Sequence, residues 1–327
     1  MALVQRLLHL TNFSSPFLRT VVPSVSAAFA IQAAFAVPSI VAQTERFYDF
    51  SGALTNISIV ALSLYLPAIR AKYAGGAAAA AGKTLPSLLT PFTNPAAAGL
   101  NWRQVALTAF VTLWAARLGT YLFQRVLRDG QDSRFDEIKK SAPKFFGAWM
   151  AQATWCSLIC LPVIALNAVP VSAFAAIPGL RITDVLGVAL WVGGITLEAT
   201  ADKQKSQWLK EKREKKHHEG FMTRGLWQRS QYPNYFGESA LWTGIATTAA
   251  GVLASQPIQA AIGFSGGTGG ILGALTLAYI SPIFTTFLVT KVSGIPMSES
   301  KYDKRYGDRK DYQQWKQNTP KFFPKLF

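Results

Sequence analysis

The chain has 327 residues, half of them apolar and only 15% charged, with a mean hydropathy of +0.20. That balance excludes an ordinary soluble domain and points to an integral membrane protein. Thirty-three Lys and Arg stand against 17 Asp and Glu, a net charge of +16; because the cations cluster beside apolar runs, no nucleic-acid partner is expected.

The N-terminal stretch carries Arg6, His9 and Arg19, several Ser and Thr, and no acid before Glu45. This is the composition of a mitochondrial presequence, which makes a mitochondrial membrane one candidate location. Residues 20–44, 50–69, 145–180 and 239–290 contain no Asp, Glu, Lys or Arg. A bilayer-spanning helix needs about 20 apolar residues. Spans are therefore predicted at 22–43, 50–69, 104–123, 145–167 and 182–200, with two more inside 239–290 hinged at 264–270 (FSGGTGG). The fold class is all-α, a polytopic membrane helix bundle of about seven transmembrane helices, or six if 20–44 does not span.

The run AGGAAAAAGK at 74–83, continuing to Pro95, reads as a flexible connection. Residues 1–103 thus form an N-terminal transmembrane region with its Ala/Gly/Pro-rich connection, and 104–327 the main membrane domain. Segment 117–144 holds seven Lys/Arg, 202–229 nine and 291–327 nine. The last four spans put all three clusters on one side, the cytoplasmic one by the positive-inside rule. On this reading 202–229 is a basic loop and the C-terminal tail is polar and faces the cytoplasm.

Cys156 and Cys160 lie one helical turn apart in an apolar segment and read as ordinary membrane-helix residues. The adjacent His217 and His218 sit among Lys and Glu and read as solvated. No zinc motif, Ser–His–Asp arrangement, Walker loop or Rossmann glycine signature is present, and no metal is expected.

Four polar patches remain. Arg117, Tyr121, Gln124, Arg125 and Arg128 share one helical face at a span end; charges there mark a functional site, or arginines snorkelling to headgroups. Glu198 and Asp202 are four apart at another span end. Asn234 and Glu238, also four apart, follow Pro233 at the start of the next span and suit a carboxamide or ribose partner. In the tail, Glu299, Tyr302, Arg305, Tyr306 and Tyr312 recur with near-helical spacing; arginines with aromatics hold phosphates and stack on flat rings, and a membrane-surface segment has the same look.

Four pieces, in order, resemble the steroid 5-alpha-reductase superfamily: RLGTYLFQRVLRDGQDSRF, EATADKQKSQW, GLWQRSQYPNYFGE with the following WTG, and KYDKRYGD…YQQWKQNTPKFFP. The resemblance runs from about Arg117 to Phe327 and is nearest the superfamily's large uncharacterised-domain branch. Sterol C14 reductases and isoprenylcysteine carboxyl methyltransferases are among its relatives. It implies an NADPH-dependent reductase of a carbon–carbon double bond in a lipid or steroid-like enone, similar to a 3-oxo-5-alpha-steroid 4-dehydrogenase, in the endoplasmic reticulum membrane. Membrane lipids and a hydrophobic, sterol-like substrate are the implied partners.

By the same resemblance, Asp202, Asn234, Tyr235, Glu238 and Tyr302 fall at the cofactor site, Arg117, Arg125 and Arg229 are candidates for its phosphates, and Tyr121 is the candidate catalytic residue. Two features depart from the family. Gln231-Tyr232-Pro233-Asn234-Tyr235 stands where Arg-His-Pro-Asn-Tyr is common, and the Glu that polarises the carbonyl in the steroid reductases has no counterpart. Two alternatives follow: an S-adenosylmethionine-dependent methyltransferase acting on a prenylcysteine or lipid, and a catalytically inactive subunit of a membrane protein complex.

Overall fold

A computed structural model describes residues 2–73, 87, 89–130, 132 and 134–325. The connection read at 74–83 lies outside the described residues. Among these there are helices and turns but no strand: α1 (Ala2–Leu10), α2 (Pro16–Val41), α3 (Tyr48–Tyr73), α4 (Trp102–Asp129), α5 (Ala142–Asn167), α6 (Ile182–Arg213), α7 (Pro233–Leu253), α8 (Gln256–Ile262), α9 (Gly267–Phe287), α10 (Gly294–Tyr306) and α11 (Lys310–Asn318).

Six stretches are long and apolar enough to cross a membrane: Pro16–Val41, Tyr48–Tyr73, Trp102–Arg128, Ala142–Asn167, Ile182–Arg213 and Gly267–Tyr306. At about 1.5 Å per residue a helix of 26 residues exceeds the roughly 30 Å of a hydrocarbon core. The seventh long helix, α7, has 21 residues and is not among those six. The chain is an all-α polytopic membrane bundle with lipid-facing helices.

Two compact units form: Met1–Arg181 with Thr248–Ile280, and Ile182–Thr247 with Ser281–Phe327. In the first, α2, α3, α4 and α5 pack together. The α4 start is fixed by a capping box, in which Asn101 accepts from Arg103 N–H at 3.0 Å while Gln104 accepts from Asn101 N–H at 2.9 Å. Several polar side chains inside this unit answer one another, as a dry interior favours. Gln32 Nε2 donates to Thr55 at 2.8 Å, Gln152 Nε2 to the Tyr48 carbonyl at 2.8 Å, and Asn167 Nδ2 to Ser63 at 2.9 Å. Cys160 lies 3.3 Å from Asn56 Oδ1, and both cysteines are free and buried.

An ion cluster closes one end of the unit. Arg134 pairs with Asp49 at 3.2 Å and with Asp132 at 2.6 Å, and Lys139 pairs with Glu45 at 3.1 Å. Burial opposes the Glu45 and Asp132 charges. The Asp132 N–H and Lys139 at Glu45, and Arg134 at Asp132, outweigh it and hold both carboxyls below their usual range.

In the second unit the first twelve residues of the expected basic loop at 202–229 are helix, because α6 runs on to Arg213. Lys, Gln and Glu favour helix, and Trp208, 3% exposed, anchors the extension against Ala201, Met222 and Trp227. The hinge expected at 264–270 is also different in detail. The break contains α8 and turns through Gly263, Gly266 and Gly267, all at positive φ, where a Cβ would be strained.

Candidate functional site

The second unit is organised by a crossing of α6 and α7 in which backbone meets backbone. A Cβ on Gly194 would lie 2.5 Å from Leu241 N, one on Gly237 2.7 Å from Glu198 N, and one on Gly244 2.7 Å from Trp191 N. Gly187 and Gly194 are two turns apart on α6, as are Gly237 and Gly244 on α7, so each pair lines one face. Glycines allow two membrane helices this approach. Glu198 and Asp202 follow Gly194 at four-residue steps, which carries them along the contact face. Asn234 and Glu238 flank Gly237 on the facing helix.

The result is a buried polar group. Glu198, Asp202 and Glu238 are 2%, 7% and 9% exposed. Buried carboxyls are costly unless answered. Asn234 Nδ2 donates to Asp202 Oδ1 at 3.4 Å, a long hydrogen bond. Asn234 Oδ1 is buried with no hydrogen-bond partner among the described residues. It therefore offers an acceptor to a ligand N–H, such as that of a carboxamide, beside carboxylates suited to hydroxyls.

One turn beyond Asp202, the Lys205 ammonium lies 4.3 Å from the Trp227 ring and 5.8 Å from that of Tyr302. Trp227 is held by its indole N–H, which donates to the Ala201 carbonyl at 3.1 Å. A cation beside two rings suits a ligand that is both anionic and flat. Sequence reasoning left Lys205, Trp227 and Glu198 out of the site. Glu198 was marked only by its four-residue step to Asp202, while Lys205 and Trp227 lie within the resembling pieces EATADKQKSQW and GLWQRSQYPNYFGE without having been singled out.

The tail is folded against the start of α7. Gln231 Nε2 donates to the carbonyls of Lys316 at 2.9 Å and Thr319 at 2.7 Å, and Gln231 N–H to that of Pro320 at 2.9 Å. Ser230 Oγ reaches the Phe322 carbonyl at 3.0 Å, and Lys325 N–H the Arg229 carbonyl at 2.9 Å. Phe236 packs edge-on to Phe322 and Phe323. Gln231 is thus engaged in holding the tail.

Tyr232 stacks on Tyr235, ring centroids 6.0 Å apart. Burial above all, then Glu299 and neighbouring tyrosines, pushes its phenol well above the usual range, so it stays a neutral donor. Tyr302 stacks on Tyr306 at 5.9 Å, and Arg229 is exposed.

Asp202, Asn234, Tyr235, Glu238, Tyr302 and Arg229 all belong to this unit. Arg117, Tyr121 and Arg125 belong to the first, on α4. Arg117 and Tyr121 are half-buried. Arg125 pairs with Asp49 at 3.6 Å and Asp132 at 3.7 Å, so a phosphate there would compete with two carboxylates. His218 is exposed, whereas His217 packs on Trp208 and lies 3.0 Å from its carbonyl. No cluster that could hold a metal occurs among the described residues.

A family described as a protein of unknown function (DUF1295) matches residues 71–265 and 267–319. No curated protein and no solved structure matches the chain. The chain belongs to the DUF1295 family, which lies in the steroid 5-alpha-reductase-like superfamily.

Proposed function

We propose that this DUF1295-family protein is an integral membrane oxidoreductase that uses NADPH to reduce a carbon–carbon double bond in a lipid or steroid-like enone. The observation that carries the reading is the buried Asp202–Asn234 pair at 3.4 Å with Asn234 Oδ1 left as an open acceptor. When bound, NADPH supplies the hydride equivalent for the β-carbon of the enone. In this reading Asn234 Oδ1 accepts from the nicotinamide carboxamide and Asp202 orients a ribose hydroxyl. Lys205 and the Trp227 ring offer a cation and a face to the anionic end. Glu238 and Glu198 sit in the same crossing and shape the acceptor field. The surrounding apolar helices keep the site dry, which strengthens each of these contacts.

The test is a titration of detergent-purified full chain with NADPH, NADH and S-adenosylmethionine in parallel, read by tryptophan fluorescence and thermal midpoint. Saturable NADPH binding is expected. Removing one hydrogen-bonding side chain by Asn234→Ala or Glu238→Ala is expected to weaken it about ten-fold, without unfolding. Binding of S-adenosylmethionine alone would replace the reductase by a methyltransferase.

One observation favours a second reading, a catalytically inactive subunit of a membrane complex. Gln231 and Tyr232 stand where the family commonly has Arg and His, and Gln231 is spent on the tail. Absence of binding by all three compounds, with co-purification in a larger assembly, would support it.

A further inference from the structure

In the N-terminal corner of the first unit, α1 meets the start of α2 and the end of α3. Arg70, in the last turn of α3, fastens it there. Its Nη1 donates to the Leu8 carbonyl at 2.9 Å, and its Nη2 lies 3.0 Å from the Thr11 carbonyl, 2.9 Å from the Thr11 hydroxyl and 3.0 Å from the Arg19 carbonyl. A guanidinium at the C-terminus of a helix answers its free carbonyls and its dipole together. The Thr11 hydroxyl donates to the Leu7 carbonyl at 2.8 Å and Asn12 N–H to that of His9 at 3.1 Å, so the last turn of α1 is closed.

The pinned helix leaves its apolar side bare. Val4, Leu7 and Leu10 are 41%, 53% and 66% exposed. They share an arc of about 120° on the helix, while Gln5, Arg6 and His9, all exposed, fall on the opposite side. A helix of nine residues is too short to hold itself together in water, so its apolar side needs a cover. Two spans, α2 and α3, begin and end at this corner, which therefore stands at the bilayer surface. The corner is also cationic. Arg6 and Arg19 lie in a stretch with no Asp or Glu before Glu45, and Arg70 and Lys72 end α3. Glu45 and Asp49 sit at the far end of the α2–α3 hairpin.

We propose that α1 lies on a bilayer surface rich in anionic phospholipid, with Val4, Leu7 and Leu10 dipping below the headgroups and Arg6, Arg19, Arg70 and Lys72 at the level of their phosphates. Three apolar side chains alone make a weak anchor, and the cations supply the second signal. Each cation near an anionic surface strengthens the attraction about five-fold. Arg70 has two parts in this, since it pins the helix to α3 and adds to the charge that draws the lipid. The surface helix goes beyond the cofactor reading and does not depend on it, because no nucleotide enters the assay.

The test places a nitroxide at Leu7→Cys and, separately, at Gln5→Cys in the full chain, one copy per lipid nanodisc. It compares collision with oxygen, which concentrates among acyl chains, and with a neutral nickel chelate, which stays in water. Cys156 and Cys160 are buried, and label uptake by the unaltered chain gives the background. In discs of phosphatidylcholine with phosphatidylglycerol, the label at residue 7 is expected to favour oxygen and that at residue 5 the chelate. Adding Arg6→Gln is expected to move the balance between immersed and lifted helix about five-fold toward lifted. Equal collision ratios at the two positions would overturn the proposal. So would a ratio at residue 7 that is the same in pure phosphatidylcholine as in the anionic discs. Immersion seen only in discs holding two copies would assign the apolar side to a second chain and overturn it equally.

Discussion

Gly237→Ala tests the α6–α7 crossing without changing any polar side chain. The added methyl would stand 2.7 Å from Glu198 N and 2.8 Å from Gly194 O. Both neighbours are backbone, so no side-chain rotation relieves the contact. Reaching the 3.4 Å of an ordinary contact means opening the crossing by about 0.7 Å. Overpacking of this kind costs about 1–3 kcal/mol, here toward the upper end, while alanine recovers up to about 1 kcal/mol of helix propensity. A net loss of about 1–2 kcal/mol is expected, or about 2–4 °C of thermal midpoint per kcal/mol. The Asp202–Asn234 contact, already 3.4 Å, would lengthen to about 4 Å and cease to be a hydrogen bond, so NADPH affinity should fall with it. Gly193→Ala is the control, because a Cβ at Gly193 meets nothing within 4 Å. Equal midpoints and equal NADPH affinities for Gly237→Ala and Gly193→Ala would refute the backbone crossing.

Gln231→Ala removes the two side-chain hydrogen bonds that hold Lys316 and Thr319. A local loss of about 1–3 kcal/mol should make residues 319–325 an early site of limited proteolysis; unchanged cleavage would show that the aromatic contacts alone hold the tail. Glu45 and Asp132 have folded pKa values below their ordinary 4.5 and 3.8. Their contribution is therefore complete above those values and lost as pH falls through the lower folded ones. Thermal midpoints measured from pH 6 downward should drop at the acid end, less steeply in the double variant Glu45→Gln, Asp132→Asn. Parallel curves for both proteins would contradict the ion cluster's role. Asn234→Ala, measured at neutral pH, should lower NADPH affinity while leaving the midpoint within about 1–2 °C.

The bundle was legible because a span announces itself by composition: charge-free runs of the right length leave little choice in a solvent without hydrogen bonds. Helix ends were less so. The extension of α6 to Arg213 was hidden by its charge, since Lys, Glu and Gln read equally as a loop or as a solvated helix, and only Trp208 marked a buried side. The seven-residue glycine spacing on α6 and α7 was visible in the sequence, but which helix would face which was not. Asp202, Asn234 and Glu238 stood out by four-residue spacings beside span ends and were assigned to a cofactor by resemblance; the structure buries Asp202 and Glu238 and brings Asn234 onto Asp202. Lys205 and Trp227 were missed because they are 22 residues apart and meet only through the turn at Gly225, whose positive φ brings Leu226 N–H onto Gln204 Oε1 at 2.9 Å.

Residue type alone did not separate amides whose donors are answered from those with an atom left over, and hydrogen-bond accounting does. Gln32, Gln152 and Asn167 sit in the apolar interior with donors answered by neighbouring helices, so their removal would cost packing and specificity in the bundle. Gln231 is likewise answered, by tail carbonyls. Asn56, Asn167 and Asn234 each keep a contact inside the protein while the other end of the amide has no hydrogen-bond partner among the described residues, Nδ2 at Asn56 and Oδ1 at Asn167 and Asn234. The openings differ in sign: a donor is left over at Asn56 and an acceptor at Asn167 and Asn234. Asn234→Asp keeps size but sets a carboxyl in place of the amide that donates to Asp202 at 3.4 Å, so both NADPH affinity and the thermal midpoint should fall.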